Sequence, residues 1–104
     1  TSEKLQSANR YFKLVLEEIF STLCNVFDGK ETLNKLREKK HIYPKLIDGF
    51  IDWVGVYIKE TQDGINTKLY NFEEKTDYVK AIIHYISGMT DKYAIDIYNE
   101  IISF

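Results

Sequence analysis

The stretch Tyr85-Ile86-Ser87-Gly88-Met89-Thr90-Asp91-Lys92-Tyr93-Ala94 decides the fold, because it joins two apolar helical faces through a short break. On its upstream side Tyr78, Val79, Ile82, Ile83, Ile86 and Met89 recur at three- and four-residue spacing, which predicts a helix from about Glu73 or Thr76 to Met89. Downstream, Ala94, Ile97, Tyr98, Ile101 and Ile102 repeat the pattern and predict a last helix from about Asp91. Between them Gly88 allows close backbone approach, and Thr90 or Asp91 can cap the helix that follows. The stretch therefore reads as a capped junction between two helices.

Working outward, the N-terminal third carries Leu5, Ala8, Phe12, Val15, Leu16, Ile19, Phe20, Leu23, Val26 and Phe27 on one stripe, with Lys4, Arg10, Lys13, Glu17 and Glu18 mainly elsewhere. This predicts a long amphipathic helix, capped by Ser2 or Ser7 and stopped by Asn25 and Asp28-Gly29. Its stripe broadens at Tyr11, Phe12 and Phe20, which predicts burial on two sides. Glu31 to Lys40 reads as a short helix with Leu33 and Leu36 facing in, its acid early and Lys39-Lys40 late, as the helix dipole favours. Pro44 ends that helix and opens the next, whose face is Leu46, Ile47, Phe50, Ile51, Trp53, Val54, Tyr57 and Ile58.

Val54-Gly55-Val56-Tyr57-Ile58 would also suit a strand, and Gly49 and Gly55 weaken a helix. Only Leu69-Tyr70-Asn71-Phe72 offers a partner, and an unpaired strand leaves backbone groups unsatisfied, so helix prevails. Residues Thr61 to Thr67 read as a loop, pinned at its far end by Leu69, Tyr70 and Phe72. The expected fold is all-α: a small bundle of four or five helices with one short irregular extended segment near 68–72.

A chain of 104 residues forms one domain, and 44% hydrophobic with 29% charged residues is a globular balance. The net charge of −2 gives no bulk field for nucleic acid or an anionic membrane. An aromatic content of 14% makes the apolar faces bulky and predicts contact with another surface. A lone cysteine, Cys24, has no internal partner and fits a reducing cytoplasmic setting. No apolar run is long enough to span a bilayer, and the chain begins at Thr1, as a piece of a longer protein would.

Chemistry-bearing residues are sparse. His41 and His84 stand in separate segments without metal-ligand spacing, and neither is followed by Asp. Cys24 lies among Leu23, Val26 and Phe27, where a thiol acts as a small hydrophobe. Of the carboxylates Asp91, Asp96 and Glu100, the first reads as a helix cap and the others as solvated positions. Lys35, Arg37, Lys39, Lys40 and Lys45 form a locally basic strip near Tyr43 that can either face phosphate or simply be a solvated helix face.

The stretch from Tyr85 to Ala94 resembles the C-terminal Tyr-Ile-(Ala/Ser)-Gly-Met-Thr-Asp-x-(Tyr/Phe)-Ala signature of the deoxyguanosine triphosphate triphosphohydrolase family, HD-type dNTP triphosphohydrolases. Leu16-Glu17-Glu18-Ile19-Phe20 resembles that family's upstream segment. The resemblance implies that residues 1–104 are a single C-terminal, phosphohydrolase-associated helical domain, a fragment of a longer metal-dependent hydrolase. The parent would convert a deoxynucleoside triphosphate to deoxynucleoside and triphosphate, its divalent metal held by His and Asp in a catalytic HD domain outside these residues. This chain would be non-catalytic, pack on that HD domain and help shape the substrate pocket or a homo-oligomer interface, touching deoxynucleotide only through the parent. Tyr85, Gly88, Met89, Thr90, Asp91 and Tyr93 match the signature by position, as substrate-pocket or structural residues. Two other expectations are a stand-alone helical interaction module and a small regulatory nucleotide-binding domain using the strip from Lys35 to Lys45.

Overall fold

The computed structural model describes residues 2–62 and 71–103, with side chains placed for 10–55 and 71–103. Among the described residues five α-helices follow one another: α1 (Ser2–Cys24), α2 (Thr32–Lys39), α3 (Pro44–Gln62), α4 (Lys75–Ser87) and α5 (Asp91–Ile102), with a 3-10 turn at Gly29–Glu31 before α2. No strand occurs among the described residues, and the architecture is the expected all-α bundle. The ambiguous Val54-Gly55 segment lies inside α3, which runs on through Thr61 and Gln62 into the expected loop. The rest of that loop, with Leu69 and Tyr70, lies outside the described residues, as do the side chains of Leu5, Ala8, Tyr57 and Ile58.

The helices are organised by the stripes their sequences carry. Val15, Ile19 and Leu23 of α1, Leu46, Ile47, Phe50 and Val54 of α3, Tyr78, Ala81, Ile82 and Tyr85 of α4, and Ala94, Ile97 and Ile101 of α5 converge on one core, joined by Leu36 of α2. Helix α1 packs on both α4 and α5, as its broad stripe predicts, with Phe12 and Phe20 half-buried, but Tyr11 is exposed, against expectation. At the centre Phe50 stacks on Phe72 with ring centroids 5.6 Å apart, and Tyr78 meets both edge-on. Phe72 thus anchors the segment leading into α4, as expected of it.

Three expected core residues face outward. Leu33, Ile83 and Ile102 are 45%, 47% and 51% exposed.

Turn chemistry closes the N-terminal junction. Gly29 has a positive φ of 51°, a conformation that favours glycine. Thr32, the buried polar residue there, donates from Oγ1 to the Gly29 carbonyl at 2.8 Å and accepts from the Asp28 N–H at 2.9 Å. Before α4, the Asn71 side chain accepts from the Glu73 N–H at 3.0 Å, and Asp77 accepts from the Asn71 N–H at 3.1 Å.

Candidate functional site: an aromatic cleft at the α4–α5 junction

Helix α4 ends at Ser87, two residues before the sequence predicts, and Met89 falls in the link to α5 instead of on the α4 face. Gly88 is the C-cap, with φ −91° and ψ 0°. Thr90 is the N-cap of α5: its Oγ1 accepts from the Tyr93 N–H at 3.2 Å. Asp91 is therefore not the cap but an exposed first-turn acid, placed where the helix dipole favours negative charge. The link turns the chain so that Tyr85, on the last turn of α4, and Tyr93, on the first of α5, meet hydroxyl to hydroxyl at 2.9 Å.

That meeting explains a glycine the sequence presents as a weakness. A Cβ built on Gly49 of α3 would overlap both tyrosine hydroxyls, so only glycine lets α3 lie this close to the tyrosine pair. Gly88, by contrast, makes no close approach: a Cβ there meets only the Tyr85 and His84 carbonyls, at 3.8 and 3.9 Å. The close contact expected at Gly88 is found at Gly49.

Beside the tyrosine pair opens a cleft of about 370 Å³, lined by Trp53, Tyr85, Gly88, Met89, Thr90 and Tyr93. All of the sequence-derived junction candidates but Asp91 are gathered here. Sequence reading placed Trp53 only on the α3 face; its ring stands 5.7 Å from that of Tyr85 at 49°, tilted so that the two do not stack on each other. The cleft wall is apolar, apart from the hydroxyls of Thr90 and the tyrosines. Burial holds the Tyr85 phenol well above its ordinary range; the bond to Tyr93 and the carboxylates Asp52 and Glu100 act in the same direction.

Glu100 is not a solvated position. Its carboxylate reaches back to the start of α3 and accepts from the Lys45 N–H at 2.8 Å and the Leu46 N–H at 3.0 Å, capping two orphan donors. It joins α5 to α3 beside the tyrosine pair, and no local pattern in the sequence announces it.

The basic strip is arranged differently from the cleft. The Lys35 ammonium pairs with Asp28 at 3.0 Å and that of Lys40 with Asp48 at 3.2 Å, while Arg37, Lys39 and Lys45 are exposed. Hydrogen bonding to Asp28 raises the Lys35 ammonium above its ordinary value. None of the five lines the Trp53 cleft.

Among the described residues no group of three or more His, Cys, Asp or Glu is placed to hold a metal ion. His41, in the turn between α2 and α3, and His84, on α4, are both exposed. Burial raises the Cys24 thiol, with Lys75 acting weakly against it, which suits an inert thiol and not a nucleophile. No helix among the described residues is long and apolar enough to cross a membrane.

A second apolar groove, of about 450 Å³, runs between α1 and α4 and is lined by Leu16, Phe20, Ile83 and Ile86, with Glu17, Ser21 and Ser87 at its rim. Leu14, beside it in sequence, is 59% exposed.

No curated protein and no solved structure matches the chain. The model of the phosphohydrolase-associated domain does match it, over residues 2–100. By that match, which takes in the α4–α5 link and all of its cleft, the chain belongs to the HD-type phosphohydrolase-associated domain family.

Proposed function

We propose that this chain is the non-catalytic C-terminal part of a metal-dependent dNTP triphosphohydrolase, packing on the catalytic HD domain and contributing the Trp53 cleft to the wall of its nucleotide pocket. The observation that carries this reading is the convergence of Tyr85, Gly88, Met89, Thr90 and Tyr93 with Trp53 on one cleft. A junction with only a structural task has no reason to leave its aromatic side chains around open space. The α1–α4 groove supplies a second apolar surface, suited to the contact with the catalytic body. Metal chemistry belongs in this reading to the HD domain; the present chain binds, orients and excludes water. The protein is read as cytoplasmic, its thiol reduced.

The test uses the natural full-length polypeptide that contains this segment. With a divalent metal present it should release triphosphate and deoxynucleoside from a dNTP, and Trp53→Ala should raise KM by about tenfold while leaving the helical circular dichroism unchanged. A polypeptide that carries no His…His-Asp…Asp set upstream, or that turns over no dNTP, overturns the reading.

A further inference from the structure

We infer that the Trp53 cleft receives the flat, uncharged ring of a nucleobase and leaves the phosphates outside, an assignment that rests on the nucleotide reading above. Its lining holds three aromatic rings, a methionine, a glycine and a threonine, and no Lys, Arg or His. Apolar and aromatic walls with a few fixed polar groups suit a ring that stacks, whereas a triphosphate needs cations or a row of backbone N–H donors. The field points the same way: Asp52 and Glu100, though outside the lining, act on the Tyr85 hydroxyl in the direction that disfavours an anion beside it.

The polar groups present are those a base edge can use. The Tyr85–Tyr93 pair holds two hydroxyl protons and spends one on the bond between them, in which either oxygen can donate. The other proton, with the tyrosine lone pairs, can serve an acceptor or a donor on a heterocycle. Gly88 adds to this. Its φ of −91° is open to any residue and its Cβ position is uncrowded, so nothing in the fold demands glycine there. What glycine does is keep the wall of the cleft low.

Trp53 is the only tryptophan of the 104 residues, so its emission reads the cleft directly. The chain is titrated with deoxyguanosine, with dGTP and with inorganic tripolyphosphate, and Gly88→Leu is titrated alongside with its melting temperature recorded. The inference expects quenching by the nucleoside and by dGTP at similar midpoints and none by tripolyphosphate. It also expects binding weakened by about tenfold in Gly88→Leu with melting unchanged. Quenching by dGTP and tripolyphosphate but not by deoxyguanosine would overturn the ring assignment and leave the nucleotide reading standing. Quenching by none of the three would sink the cleft as a nucleotide surface altogether. Unaltered binding in Gly88→Leu would remove the glycine from the site.

Discussion

Tyr85 and Tyr93 share a hydrogen bond of 2.9 Å at the spot where a Gly49 side chain would have to stand. Three helices meet there: α3 gives up a side chain, while α4 and α5 each contribute a phenol. Tyr85 and Tyr93 also line the Trp53 cleft, so the geometry of the cleft depends on how closely α3 lies against the pair.

Gly49→Ala sets a gain in helix propensity of about 1 kcal/mol against overpacking of about 1–3 kcal/mol, and a net loss of stability is expected. Gly55→Ala, with nothing within 4 Å of the new Cβ, should instead stabilise by about 0.5–1 kcal/mol. Urea unfolding of the two variants should give opposite signs. Phenylalanine at both 85 and 93 removes the obstructing oxygens, leaving the Tyr93 ring carbon at an ordinary 3.6 Å, and should lessen the cost of Gly49→Ala.

Thr90→Ala should cost about 1 kcal/mol, because it strips the cap from α5, whereas Asp91→Ala should cost only about 0.3–1 kcal/mol through the helix dipole. Thermal melts of the two variants, compared at low and high salt, separate the effects. Only the Asp91 loss should fade with salt.

Glu100→Ala leaves the Lys45 and Leu46 N–H groups without their acceptor and should cost about 1–2 kcal/mol. Glu100→Gln keeps one acceptor oxygen and should recover part of the loss. Amide hydrogen exchange at Lys45 and Leu46 reports the cap directly, and both should exchange faster in Glu100→Ala.

Alkali should destabilise the fold through Tyr78 as well as Tyr85. The Tyr78 hydroxyl, which donates to the Leu23 carbonyl, is driven well above its ordinary value of 10.0, chiefly by burial. Below about pH 10 folded and unfolded chains both hold these protons. As the pH climbs past the unfolded value the unfolded chain releases them while the folded chain keeps them, so stability falls with further increase. Denaturation midpoints followed at rising pH should drop beyond that point, and Tyr78→Phe, though less stable at neutral pH, should show a shallower fall.

Much of this bundle is legible in the sequence, because its helices are drawn by the spacing of residues such as Val15, Ile19 and Leu23 or Tyr78 and Ile82; the expected α4 face nevertheless omits Ala81 and Tyr85, which are buried. Pro44 and Gly29 mark boundaries by their backbone chemistry, and both stand where expected. The edges of each stripe are less legible: nothing local distinguishes Ile82, fully buried, from Ile83, half exposed at the groove between α1 and α4. The cleft was half visible. Its junction residues form a continuous pattern, but Trp53 joins them from another helix, and neither the Gly49 fit nor the Glu100 cap leaves a periodic trace, because each pairs residues far apart in the chain.

The carboxylate that seals the start of α3 arrives on the last helix, and that same helix lies along α1. On a ribosome, the early helices would emerge with an unsealed end and an uncovered flank, and would wait for α5 before settling. Folding of this bundle should therefore be a single late event during synthesis, and chains stalled before α5 should be the ones that chaperones and proteases meet.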